Sequence, residues 1–301
     1  LLAEFNRRPK GPCRWPLRQI YGNVVAFCGD QQGSRFLQEK LAKANSDEKE
    51  QVFRELQPNL REMSNDVYGN YVIQKLLEHG NQAQKREMVD ILVKGKMTEL
   101  YLNQYGCRVV QKALELVLVE QKIELARELE PNLFSVIRNE SGNHVVQKVI
   151  ESLPHEHFDY ITRAFRGRVA ELAEEQYACR IIQRLMEYAA QDDKEAIFAE
   201  IHESAQRLVT SDFGNYVVQH VLEVGAPAHR ERMIASVLSR VVPLSKHKFS
   251  SNVVEKCIIR ASPQVRLDTA QALIRPGSDG TNAVPAMYRD NYGNYVLQTL
   301  L

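Results

Sequence analysis

At 301 residues, 44% of them hydrophobic, the chain is long enough for two ordinary globular domains and apolar enough to fold. It holds no run of about 18 apolar residues and no apolar core behind Arg7, Arg8 and Pro9, so neither a membrane span nor a signal peptide is expected. A net charge of +1 gives no overall pull on nucleic acid, and five cysteines without paired spacing argue against a disulfide framework or zinc site and for a reducing compartment.

One five-residue pattern recurs in chain order: a small polar residue, a flat residue, two apolar residues, then Gln or Glu. Its copies are Ser34-Arg35-Phe36-Leu37-Gln38, Asn70-Tyr71-Val72-Ile73-Gln74, Cys107-Arg108-Val109-Val110-Gln111 and Asn143-His144-Val145-Val146-Gln147. Then come Cys179-Arg180-Ile181-Ile182-Gln183, Asn215-Tyr216-Val217-Val218-Gln219, Ser251-Asn252-Val253-Val254-Glu255 and Asn294-Tyr295-Val296-Leu297-Gln298. First positions step by 36, 37, 36, 36, 36, 36 and 43 residues. A fixed period of this size is the mark of a solenoid, in which each unit buries its apolar face only against its neighbours.

Let the small polar residue be position zero. Ten and seven residues before it every unit is apolar, from Val24 and Phe27 in the first to Val284 and Met287 in the last. That spacing predicts a first helix with one buried stripe. Tyr68-Gly69, Tyr105-Gly106, Phe213-Gly214 and Tyr292-Gly293 mark a tight turn, which in Tyr177-Ala178 must tolerate a methyl group. The pattern itself, with Leu41, Leu77, Leu114, Ile150, Met186, Leu222, Ile258 and Leu301 seven residues on, predicts a second helix. Stretches such as 47–56 and 84–92 predict a third. The expected fold is an all-α solenoid of three-helix units.

On the second helix, positions +2 and +3 turn inward, and zero, +1 and +4 are expected to project together from the surface. A merely solvated face would drift towards Lys, Glu and Ala. Here +4 is Gln in all units but one, and zero is only Asn, Ser or Cys. Position +1 is Arg35, Tyr71, Arg108, His144, Arg180, Tyr216, Asn252 and Tyr295. Flat groups in register suit stacking on nucleic-acid bases. Position +5 is Lys75, Lys112, Lys148, Arg184, His220 and Lys256, broken by Glu39 and Thr299 at the ends, and this row is expected to meet phosphates. Scattered histidines and the lack of a phosphate-loop glycine motif give no enzyme, metal or cofactor reading.

These motifs resemble the Pumilio homology domain of the PUF family over nearly the whole chain. Tyr68-Gly69-Asn70-Tyr71-Val72-Ile73-Gln74, Gly142-Asn143-His144-Val145-Val146-Gln147 and Ser251-Asn252-Val253-Val254-Glu255-Lys256 are similar to the family's second, fourth and seventh repeats. The resemblance implies a right-handed α-solenoid crescent of eight three-helix repeats of about 36 residues. It divides the chain into a capping segment 1–18, with Trp15 and Pro16, and repeats at 19–54, 55–90, 92–127, 128–163, 164–199, 200–235, 236–271 and 279–301. The segment 17–28 looks like the first helix of repeat one. The family binds single-stranded RNA on its concave face, one base per repeat, with the last repeat on the 5′ base. Its code pairs Asn/Gln with U, Ser/Glu with G, and Cys/Gln or Ser/Gln with A.

Carried over, Asn294/Gln298, Ser251/Glu255, Asn215/Gln219 and Cys179/Gln183 imply U, G, U and A. Asn143/Gln147, Cys107/Gln111, Asn70/Gln74 and Ser34/Gln38 imply U, A, U and A. The element is 5′-UGUAUAUA-3′, with other bases tolerated at the fifth place. The resemblance also implies binding to mRNA 3′ untranslated regions in the cytoplasm by a monomer that represses translation or promotes decay. Deadenylation or repressor proteins would dock on the convex face and on the loop at 275–285. The eighth repeat lacks its third helix and a cap, so the chain is taken as part of a longer one. The rival reading is a protein-binding armadillo or HEAT scaffold, which would not need Gln or Glu at every +4.

Overall fold

The computed structural model describes residues 1–7, 15–94, 97–276 and 280–301. Arg8, Pro9 and residues 277–279 of the predicted loop at 275–285 lie outside the described residues. Among the described residues every regular element is a helix or 3₁₀ turn. They fall into two compact units, 1–158 and 159–301.

In the first unit the short helix Leu2–Asn6 places Phe5 edge-on to Trp15, Phe27 and Phe36, with centroids 4.9–5.4 Å apart. This aromatic cluster covers the start of the stack. The second helices of repeats one to four are Gln31–Leu41, Gly69–His79, Gly106–Leu116 and Gly142–Ser152, and consecutive ones pack side by side. In the second unit the corresponding helices are Ala178–Tyr188, Gly214–Val224, Ser250–Arg260 and Gly293–Leu300, packed the same way. Third helices such as Ser46–Leu56 and Gln82–Val93 run through the repeat edges expected at 54 and 90. Asn45/Glu48 and Asn81/Gln84 form capping boxes there, satisfying backbone N–H groups in both directions.

The predicted apolar positions make the core. Phe27, Leu100, Val136, Leu172, Leu208 and Met287 are fully buried, as are Ile73, Val110, Val146, Ile182, Val218 and Val254. Each such side chain contributes about 1.5–3 kcal/mol of apolar burial. Leu301 departs from the predicted stripe: it lies past Leu300, the last helical residue, and is exposed.

The first helix of repeat one also differs from expectation. Residues 17–28 are not one helix but a 3₁₀ turn, Leu17–Ile20, and a helix, Val24–Cys28. Gly22 between them has φ +77°, a left-handed conformation that cannot continue a right-handed helix. The Glu55 carboxylate accepts from the N–H groups of Gly22 (2.8 Å) and Val24 (3.3 Å), so the new helix starts on a side-chain cap from the third helix. Repeat five repeats the device: Gly167 has φ +71°, and Glu200 accepts from Gly167 and Val169.

Candidate nucleic-acid interface

Each second helix starts at a fixed point. Four residues before zero, Asp30, Asp66, Asn103, Asn139 and Asp290 accept from two successive backbone N–H groups at 2.7–2.9 Å. Ser211 and His247 make one such bond each. These bonds hold Asp290 below the usual carboxylate range, first through the Gly293 N–H and then that of Tyr292. The residue just before zero also presses against the first helix. A Cβ on Gly69 or Gly142 would stand 2.7 or 2.5 Å from the carbonyl oxygen of Met63 or Val136. Repeat seven solves this differently, with the Ser250 hydroxyl donating to the Leu244 carbonyl at 2.6 Å. The capping residue was not singled out in the sequence, although an Asp or Asn at a constant offset was visible there.

That start places the three predicted side chains at three depths. Position zero does not project. Ser34, Asn70, Cys107, Asn143, Cys179, Asn215 and Ser251 are 0–4% exposed, and only Asn294 is half-buried. The neighbouring first helix and the tight turn cover them, which a helical-wheel argument omits. Position +1 is exposed in every repeat: Arg35, Tyr71, Arg108, His144, Arg180, Tyr216, Asn252 and Tyr295. Position +4 lies between, half-buried in Gln38, Gln74, Gln111, Gln147, Gln219 and Glu255, buried in Gln183 and exposed in Gln298. In repeats one and three the three groups line a shallow slot that reaches the +1 residue of the next repeat. Both slots are open clefts, one walled by Ser34, Arg35, Gln38 and Tyr71, the other by Cys107, Arg108, Gln111 and His144.

The four Asn/Gln repeats share one hydrogen-bond pattern. The Asn Nδ2 donates to the carbonyls three and four residues back, at 2.8–3.2 Å. Its Oδ1 accepts from the Gln Nε2 of the same repeat, at 3.0, 2.9, 2.9 and 3.1 Å. Both Asn donors are therefore used inside the protein. The Gln is held in one orientation and turns one N–H and one C=O towards the slot. In Cys repeats the thiol donates to a backbone carbonyl, Cys107 to Gln104 at 3.6 Å and Cys179 to Gln176 at 3.3 Å. Burial pushes both thiols up, against the pull of Ser141 on Cys107 and of Arg180 on Cys179. Ser34 and Ser251 likewise bond the carbonyl three back. Burial raises the Glu255 carboxyl, while the Thr299 hydroxyl opposes the shift.

The +5 row is not a free cationic strip. Eight residues after zero stand Glu78, Glu115, Glu151, Glu187 and Glu223, and they alternate with the +5 cations. Lys75 and Lys112 share Glu78, Lys112 and Lys148 share Glu115, and Lys148 reaches Glu151. In the second unit Arg184 and His220 share Glu187 at 3.1 and 2.8 Å, and His220 and Lys256 share Glu223. Burial raises the Glu78 and Glu115 carboxyls, but their lysine partners outweigh it and the net direction is downward. The sequence pattern, followed to +5 among polar positions and to +7 among apolar ones, stops short of this carboxylate column.

The profile of the Pumilio-family RNA binding repeat matches residues 23–57, 59–93, 102–130, 132–163, 168–202, 207–238, 240–268 and 289–301. Pumilio homolog 1 of Xenopus laevis is 42% identical over 134 residues, 43% of this chain and 11% of that protein. The mRNA-binding protein puf3 of Schizosaccharomyces pombe is 49% identical over 71 residues, 23% of this chain and 10% of the relative. The chain thus matches only a small part of the length of these relatives. Among solved structures, the Puf3 RNA binding domain bound to Cox17 RNA 3′ UTR recognition sequence site A has a TM-score of 0.89 at 38% identity, covering 99% of this chain and 89% of that one. PUF-8 in complex with PBE-RNA has a TM-score of 0.91 at 30% identity, covering 99% and 88%. With the repeat profile matched eight times along a stack of three-helix units, the chain belongs to the Pumilio family of RNA-binding repeats.

Proposed function

We propose that the two units act as one Pumilio homology domain that reads single-stranded RNA, one base per repeat, with the element 5′-UGUAUAUA-3′. The observation that carries this is the layering of the second helices: a small residue buried in repeats one to seven, an amide or carboxylate half-buried in six repeats, and an exposed flat group in register in all eight. The flat +1 groups stack on base faces. In the Asn/Gln repeats the anchored amide offers one donor and one acceptor, which fits the acceptor and N3–H donor of uracil. Glu255 accepts only, which fits the N1–H and N2–H₂ donors of guanine. Small Cys and Ser leave room beside adenine.

The +5 residues Lys75, Lys112, Lys148, Arg184, His220 and Lys256 are proposed as weaker contacts to phosphates, competing there with their carboxylate partners. The targets are mRNA 3′ untranslated regions, as in the Puf3 complex. The outcome is repression of translation or decay of the message, without catalysis, through proteins recruited to other surfaces. The site of action is the cytoplasm, and the binding species is a monomer.

The test is fluorescence anisotropy at one stated salt, with 5′-UGUAUAUA-3′ and the same RNA carrying C for G. Tight binding to the first and a loss of about 1–3 kcal/mol for the second support the assignment. Weak and equal binding to both would refute it. Ser251→Asn with Glu255→Gln is then expected to move the second base from G to U, and a retained preference for G would sink the code.

A further inference from the structure

We infer that Arg180 closes the repeat-five slot on itself in the free protein, so that only a matching base displaces it and a mismatched base stays outside. The inference rests on the RNA-reading proposal above.

Repeats three and five carry the same triplet: Cys107, Arg108 and Gln111 in one, Cys179, Arg180 and Gln183 in the other. Their slots differ. In repeat three the +1 and +4 side chains border an open cleft that extends to His144. In repeat five the Arg180 guanidinium lies over the Tyr216 ring, 5.2 Å from its centroid. Arg180 Nη1 also donates to Gln183 Oε1 at 3.4 Å. Gln183 is drawn in with it, 6% exposed, and its Nε2 is buried without a partner among the described residues.

A guanidinium is flat, cationic and weakly hydrated, and it stacks on aromatic rings as a base does. Arg180, the +1 group of repeat five, therefore lies directly on Tyr216, the +1 group of repeat six, and closes the gap in which the fourth base is to lie. Entry of a base breaks the Arg180–Tyr216 contact and frees the Gln183 carbonyl. An adenine regains these by stacking and by meeting the Gln183 amide, including the Nε2 that now lacks a partner. A base that cannot meet Gln183 regains only the stacking, and the closed slot competes with it. The cost of any wrong base is then capped at the cost of leaving the slot closed.

The experiment uses the unaltered protein and octamers with A, C, G, U or an abasic site at the fourth base, with the same set at the sixth as the open-slot control. The three wrong bases at the fourth place are expected to bind within about twofold of the abasic RNA. Differences beyond about fivefold among them would overturn the inference. In Arg180→Ala, with the slot open, that spread is expected to reappear. In the RNA-free protein, Arg180→Ala and Tyr216→Ala are expected to be non-additive by about 2- to 5-fold in the unfolding constant, and additivity would remove the self-contact. Failure of the octamer to bind better than its reversed sequence would instead fell the RNA-reading proposal, and this inference with it.

Discussion

For single residues, the slots combine a rigid part and an adjustable part. Asn70, Asn143, Asn215 and Asn294 commit both amide donors to backbone carbonyls and orient the Gln beyond them. Glu255 differs because its charge state matters. Its folded carboxyl is raised by burial, so it gains a proton at a higher pH than an ordinary glutamate. Guanine needs the ionised form, so binding favours proton release. The preference for G over C at the second base is expected to fall as pH drops towards the ordinary glutamate range, the fall beginning above it. Anisotropy over that range checks it, and a flat preference would mean that Glu255 does not read the base. The exposed ring of Tyr216 gives a second expectation: Tyr216→Ala is to weaken RNA binding by roughly 1–3 kcal/mol, and unchanged affinity would refute stacking there. The types at zero, +1 and +4 were legible in the sequence. Their depths were not, because helical spacing alone puts all three on one face and says nothing of what covers it.

Among the elements, the second helix is a positioning device. Its apolar stripe at +2, +3 and +7 was plain from the 3.6-residue period, and the structure buries it almost throughout. Its starting point depends on the cap four residues before zero and on the close approach of the preceding residue to the first helix. Asp66→Ala removes bonds to the N–H groups of Tyr68 and Gly69. It is expected to cost about 0.5–2 kcal/mol in urea unfolding and to weaken discrimination at the seventh base, read by repeat two, more than at the second. An equal loss at both bases would point to general destabilisation. The broken helix at 17–28 departs from its sequence pattern for a local reason. Its apolar content suits a helix, but Gly22 takes a left-handed conformation that Glu55 stabilises from another helix of the same repeat.

Across the molecule, a net charge of +1 conceals an ordered column of alternating sign. Within each unit the cations at +5 and the carboxylates at +8 link successive second helices, from Lys75 to Glu151 and from Arg184 to Lys256. The pairs are partly exposed, so each is worth less than about 1 kcal/mol and is screened by salt. Because Glu78 and Glu115 lie below their ordinary range in the folded state, their share of stability is present above the unfolded carboxylate range. It is lost as pH falls through the lowered folded values. Replacing Lys112 and Lys148 by Ala is expected to weaken all RNAs alike and to lower the salt slope by about 0.7 for each phosphate no longer neutralised. An unaltered slope with lowered stability would make the column purely structural.

The period, the all-α repeat, the buried stripes and the identity of the side chains at each slot are all written in the order of residues. These follow from local rules: helical spacing repeats the same positions every turn, and a unit that cannot bury its own apolar face must stack. The depth of position zero, the bridging of +5 cations to the +8 carboxylates of the preceding repeat and the closure of one slot of two with identical triplets emerge only in the folded chain. Each depends on a neighbour about one repeat away in the chain or on the next helix of the same repeat. Burial, charge pairing and ring stacking act across that distance through space, where residue spacing along one helix carries no information.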